Sequence, residues 1–250
     1  MRLGVYLGWH VHPWEELLLL ARRAEDLGYD AVFIDGDATL HPGRETLDGW
    51  TATVALIAHT RRIAVGSLRL VQHWNAARLA QAVASAERIA PGRLRFLASI
   101  GDRPIDARFG LPELPPGERI RWLDETLDAA RALWRGERVT RRGRHVRLGG
   151  AQLCPTPPGG RIEIAIAAKG PKLLEVVARH ADVWEVNLPA VAARVSAAAR
   201  SLEARAGRVR VRGDVVRRAR PDAAAVRDLF RSLDAELAAV VVVDVVLGQH

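Results

Sequence analysis

The sequence predicts an α/β chain folded as a single (β/α)8 TIM barrel domain over residues 1–250, with an insertion after strand 4 and no complete C-terminal helix. Three observations lead there. Short apolar runs recur about every 30 residues, the length of one strand–helix unit. Amphipathic helical patterns fill the intervals between them. Eight such runs occur, and consecutive strand–helix units with apolar strands imply a parallel sheet covered by helices. An open doubly wound sheet is the alternative architecture.

The first run is Leu3 to Leu7. After it, Pro13 suits the first position of a helix, Glu15 and Glu16 favour its positive end, and Trp14, Leu17, Leu18, Ala21 and Ala24 form one apolar face. Gly28 ends that helix. Ala31 to Ile34 is the second strand, Leu47 to Ala58 the second helix, and Ile63 to Gly66 the third strand. The third helix spans Ala76 to Ala90 and stops at Pro91-Gly92. Leu94 to Leu97 is the fourth strand. The rhythm then breaks. A proline-rich loop (Pro112 to Gly117), a helix with Ile120, Leu123, Leu127, Ala130 and Trp134 on one face, and a hairpin from Arg138 to Leu148 turning at Arg142-Gly143 precede the fifth strand, Ile162 to Ala167. Alternation resumes with helix 171–181, strand 183–186, helix 190–206, strand 209–216, helix 222–237 and strand 240–247. Only Gly248, Gln249 and His250 follow. The incomplete helical ring leads us to expect a homodimer or a covering loop over the exposed barrel surface.

Composition narrows the function classes. Residues are 49% hydrophobic and 26% charged, a globular balance. The formal charge of +8 raises nucleic acid as a partner, yet all but two of the 37 basic residues are arginine, scattered along the chain, and aromatics are only 5%. That is no stacking stripe or basic block, so nucleic-acid binding is not expected. The single cysteine, Cys154, excludes an internal disulfide framework. No apolar run reaches the ~20 residues of a membrane span, and no signal peptide is apparent, so a cytoplasmic protein without membrane attachment is expected.

In a (β/α)8 barrel the chemistry sits on the loops after the strands. Those loops carry Trp9-His10-Val11-His12, then Asp35-Gly36-Asp37, Gln72-His73-Trp74-Asn75, Ser99-Ile100-Gly101-Asp102 and Ala167-Ala168-Lys169-Gly170-Pro171, while strand six itself carries Trp184, Glu185 and Asn187. His10 and His12 have the spacing that opens the site of metal-dependent hydrolases, but strands five and six supply no further histidines, so no metal centre is assigned. The turn from Ala168 to Lys172 joins a strand to a helix through Gly and Pro. It holds both lysines of the chain, a geometry and charge suited to a phosphate.

The order of several segments resembles the bacterial luciferase-like superfamily of flavin- and F420-dependent oxidoreductases. These are Ala24-Glu25-Asp26-Leu27-Gly28-Tyr29-Asp30-Ala31-Val32, Trp50-Thr51-Ala52 with Thr60 to Gly66, Gly92-Arg93-Leu94-Arg95-Phe96, Ala129 to Gly136 with the Arg142-Gly143-Arg144 hairpin, and Lys169 to Lys172 leading to Ala178 to Trp184. The resemblance implies F420 or FMN at the C-terminal strand ends, with the ring over strand three at a bulge and non-prolyl cis peptide among Ser67, Leu68 and Arg69. It puts the cofactor phosphate at Ala168, Lys169 and Gly170, and Asn75 near the ring or substrate. Asp37 and Asp102 stand where many F420-dependent members carry a histidine and a glutamate, and become the expected catalytic pair; Trp9, His10, Trp74 and Trp184 are the expected substrate-pocket lining. The implied activity is hydride transfer or monooxygenation of a small organic molecule, with a flavin reductase as partner if FMN is used. A cofactor-free barrel with a binding role, or a metal-dependent hydrolase using His10 and His12, is the alternative.

Overall fold

The computed structural model of the chain describes residues 2–7, 12–34, 47–101, 110–168, 170–187, 210–216 and 240–245. In chain order these form β1 (Arg2–Tyr6), α1 (Trp14–Asp26), β2 (Ala31–Ile34), α2 (Gly49–His59), β3 (Ala64–Leu70), α3 (Ala76–Ile89), β4 (Leu94–Ser99), α4 (Pro116–Trp134), β5 (Val139–Arg142), β6 (Arg147–Ala151), β7 (Ile164–Ala167), α5 (Pro171–His180), β8 (Val183–Asn187), β9 (Arg210–Val216) and β10 (Val240–Val245). Eight strands close a barrel in the order β1, β10, β9, β8, β7, β4, β3, β2. The insertion is α4 followed by the separate β5–β6 hairpin, as expected from the break in rhythm. The stretches 190–206 and 222–237, read as helices from sequence, lie outside the described residues.

Two expectations need correction. The eighth strand does not continue the parallel series: β10 is antiparallel to both β1 and β9, pairing Arg2 with Asp244 and Val216 with Val240. A valine run reads the same in either direction, so its pattern fixes a strand without fixing its sense. The expected cis peptide among Ser67, Leu68 and Arg69 is also absent; those peptides are trans. β3 is longer than predicted and pairs with β4 from Val65–Leu94 to Leu70–Ser99 without a register shift. A regular ladder leaves no bulge in which a non-prolyl cis bond, costing about 3 kcal/mol, would be repaid.

Alternation along the strands divides two apolar layers. Val32, Val65, Phe96, Ile164 and Ile166 face outward and join one cluster with Leu17, Leu56, Leu79, Leu127 and Val177 of the helices. Inside, Phe33 packs with Ala31, Ala64 and Tyr6. Its ring needs two glycines: a Cβ on Gly4 or Gly66 would lie 2.6 or 2.2 Å from it. Trp134, fully buried, meets Phe96 edge-on at 6.1 Å and donates its indole N–H to the Ala80 carbonyl, joining α4 to α3 and β4.

Polar staples hold the N-terminal face of the barrel. The Glu25 carboxylate, 8% exposed at the end of α1, accepts the backbone N–H groups of Arg61, Arg62 and Ile63. Arg93, after the Pro91-Gly92 turn, donates to the carbonyls of Ile57, Thr60 and Ile63. Three of the segments that carry the sequence resemblance therefore meet at one place, and their charged residues satisfy backbone groups left over where α2 gives way to β3.

Candidate active site

The C-terminal ends of β3, β4 and β7 come together with the start of α5, the face on which barrels of this kind carry their sites. β3 runs into a single 3-10 turn, Val71–His73, and the chain then enters α3 through Asn75. Asn75 is the helix N-cap, its Oδ1 accepting the N–H groups of Ala77 and Arg78 at 3.0 and 3.2 Å. Trp74 is half-buried and packs edge-on against Trp50 of α2 at 6.0 Å.

Ser67 and Leu68 part company at the end of β3. Leu68 faces inward with Leu97, Ala165 and Val183. Ser67 faces the helical layer, where its hydroxyl accepts from the guanidinium of Arg69, which is fully buried and lies 5.7 Å from the Trp50 ring centroid. Trp184, 3% exposed, also belongs to that outer layer, and its indole N–H donates to the Ala168 carbonyl at 3.2 Å. It braces the end of β7 from outside.

The β4 end is clamped. Gln72 Nε2 donates to the Ile100 carbonyl at 3.2 Å, and Arg119 of α4 donates to the carbonyls of Ile100 and Gly101 at 2.8 and 2.5 Å. Gly101 takes φ 66° and donates its N–H to Ser99 Oγ. The backbone that leads into Asp102 is thus fixed from two sides. Neither Gln72 nor Arg119 was singled out for this from sequence, because a side chain that serves a distant carbonyl carries no local pattern.

At the β7 end, Gly170 has φ 87° and ψ 157°, a conformation open to glycine alone, and caps α5 with no side-chain hydrogen bond. Pro171 occupies the first helical position, and among the described residues nothing lies within 4 Å of the point where a Gly170 Cβ would stand. Gly170 thus offers the first-turn amides no side-chain cap, and among the described residues the approach at Gly170 is open. Ala168 is buried beside this turn. Trp9, His10, Asp37, Asp102 and Lys169 lie outside the described residues. His12 pairs with Glu16 at 3.2 Å, and among the described residues no three His, Cys, Asp or Glu side chains gather as a metal site.

A cleft of about 310 Å³ opens beside the β3–α3 loop, between Gln72, His73, Trp74 and Asn75 on one side and Trp122, His145 and Arg147 on the other. The far wall is built on α4. Glu125 accepts the N–H groups of Arg144, His145 and Val146 at 3.2, 2.9 and 2.8 Å, holding the hairpin turn in place. His145 then stacks on Trp122 with ring centroids 4.9 Å apart and planes 10° apart, while its Nε2 meets Glu118 at 2.9 Å. That bond and the nearby guanidinium groups of Arg121 and Arg144 hold the Glu118 carboxyl below its usual range. The hairpin was legible in the sequence, but its use as a cleft wall was not.

Comparison with known proteins agrees with this architecture. A family model described as luciferase-like monooxygenase matches residues 1–240. An F420-dependent glucose-6-phosphate dehydrogenase of Nakamurella multipartita is 32% identical over 67% of this chain and 50% of its own length. A counterpart from Beutenbergia cavernae is 30% identical over 73% of this chain and 55% of its length. The chain thus spans about half the length of the curated relatives it matches. Among solved structures, the EDTA monooxygenase of Chelativorans sp. BNC1 superposes with a TM-score of 0.76 at 18% identity, covering 86% of this chain and 64% of that one. An F420-dependent secondary alcohol dehydrogenase in complex with an F420-acetone adduct gives 0.72 at 21%, covering 83% and 66%. At those identities the superpositions establish the fold. Among the described residues, no helix is long and apolar enough to cross a membrane.

Proposed function

The chain belongs to the luciferase-like monooxygenase family, and from that premise we propose that it is an oxidoreductase acting on a small organic substrate with F420 or FMN at the C-terminal ends of the barrel strands. The observation that carries this reading is the β7–α5 turn. Amides at the positive end of α5 that no side chain of Gly170 caps, with an open approach at Gly170 among the described residues, suit a phosphate, and both cofactors carry one. The residues present therefore fit the group: Ala168, Lys169 and Gly170 would hold its phosphate. When bound, the group supplies the hydride chemistry, or with FMN the oxygen chemistry, that protein side chains lack.

The chain's own residues orient and protect. Leu68, on the inner face of β3, gives the ring an apolar floor. Asn75 and Trp74 border the same end of the strand, and the clamp of Gln72 and Arg119 holds Ile100 and Gly101, the residues just before Asp102. A substrate that is oxidised or reduced at a carbon–oxygen bond also loses or gains a proton, and Asp102 and Asp37, following β4 and β2 in the chain, are assigned to move it. The names of the curated relatives favour F420; with FMN, a flavin reductase would supply reduced cofactor.

Titrating the purified chain with F420 and with FMN, read by cofactor fluorescence, tests the reading. Saturable binding of one, weakened at least about tenfold by Gly170→Ala, is expected, because the added methyl forces the turn out of the glycine-only region. Absence of binding by both cofactors would overturn it in favour of a cofactor-free barrel with a binding role.

A further inference from the structure

The outer face of β3 carries a charge in a layer otherwise built for apolar side chains. Arg69 is fully buried and ranks with Trp134 and Phe96 among the largest side chains so enclosed. Burying a charge costs far more than burying an apolar group of similar volume. Filling the layer therefore does not call for arginine at this position, and the use of it lies in what its planar head touches.

Two contacts define that head. One N–H donates to Ser67 Oγ, two residues back on the same face of the strand. The central carbon of the guanidinium stands over the Trp50 ring, 5.7 Å from its centroid, close enough for the indole face to hold the cation. The attraction is stronger here than at an exposed site, because the charge is desolvated. Trp50, half-buried in the first turn of α2, passes the constraint on: it meets Trp74 edge-on, with centroids 6.0 Å apart and planes 78° apart. Trp74 follows the Val71–His73 turn at the C-terminal end of β3. Side chains from β3, α2 and the β3–α3 loop thus form one stack. The cation is at its buried end, and Trp74 is at the end that borders the site.

We propose that Arg69 is a positioning residue: from behind β3 it fixes the ring of Trp50, and through that ring the orientation of Trp74 at the edge of the cofactor and substrate site. That Trp74 borders such a site rests on the function proposed above. The link from Arg69 to Trp74 does not, and it can be measured without a ligand. A guanidinium suits the task because its plane bonds to Ser67 and covers an indole at once, which the point charge of a lysine cannot do.

The test follows the indole N–H resonances of the whole chain, with those of Trp50 and Trp74 assigned through Trp50→Leu and Trp74→Leu. Arg69→Met removes the charge from a long side chain and should move the Trp74 resonance, while that of Trp134, bonded to the Ala80 carbonyl in the core, stays still. Arg69→Lys keeps a cation but loses the planar fork; it should move Trp74 too, and it stands in if the methionine variant does not fold. In a Trp50→Leu background neither substitution should move Trp74 further, because the connecting ring is gone. The second measurement is affinity for whichever of F420 and FMN the parent chain binds. Arg69→Met and Trp50→Leu should each weaken it about fivefold to tenfold, and the double variant no more than either alone. A Trp74 resonance unmoved by both Arg69 substitutions, or losses of affinity that add in the double variant, would overturn the proposal. A parent chain that binds neither cofactor would overturn the function proposed above, and the resonances alone would then decide the role of Arg69.

Discussion

Single carboxylates do much of the structural work. Burial pushes the Glu25 carboxyl up, but the N–H groups of Arg62, Ile63 and Arg61 together outweigh it, so its folded pKa lies below the ordinary glutamate value. Glu125 follows the same pattern, with burial opposed by the N–H groups of Val146, His145 and Arg144. Glu25→Ala leaves three backbone donors near the end of α2 without their acceptor, and we expect a loss of about 2 kcal/mol in urea unfolding. Glu25→Gln should recover part of that, because an amide oxygen still accepts. Much of this was hidden in the sequence. The segment Ala24 to Val32 was readable as a family-like motif, yet nothing local discloses that its glutamate serves residues far along the chain. Asn75 is a similar case: beside its expected place near a cofactor it is the N-cap of α3, a role its position before an alanine-rich helix could have signalled.

At the scale of elements, periodicity was a good guide wherever one face is buried. The strands from β1 to β4 and the helices α1, α3 and α4 fall within a few residues of their predicted limits, because their apolar spacing records the layer they pack against. What periodicity cannot carry is direction and facing partner. β10 was found but not its sense, and Trp184 was expected in a pocket although its place in β8 turns it to the helices. The inner layer offers a sharp check. Gly66→Ala would put a methyl 2.2 Å from the Phe33 ring, and overpacking of this kind costs about 1–3 kcal/mol. Thermal unfolding should reveal that loss, and Phe33→Leu in the same chain should restore part of it by making room. A Gly66→Ala variant as stable as the parent would mean that Phe33 does not fill the barrel between Gly4 and Gly66.

For the molecule as a whole, acid should weaken the fold in two stages. His180 of α5 is buried against α4, where its Nε2 meets Asp124 at 2.8 Å. Burial lowers its pKa more than Asp124 raises it. The unfolded chain then takes up a proton near pH 6.5 that the folded chain refuses until lower pH, so stability falls as pH drops through that window. Glu25 and Glu125, with depressed folded values, hold their contribution above the ordinary carboxylate range and lose it as pH falls below about 4.5. Urea midpoints measured from pH 7.5 to 3.5 should decline in both intervals, and His180→Gln should flatten the first without moving the second. A first stage that survives this substitution would point to another group. The closing strand has one more consequence, for synthesis. Both strands that flank β10 precede it in the chain, so as the polypeptide leaves the ribosome β1 and β9 wait with open edges until residues 240–245 emerge to be inserted between them. The nascent barrel is therefore a curled sheet with two adhesive margins, and until then it is most exposed to pairing with a neighbouring chain.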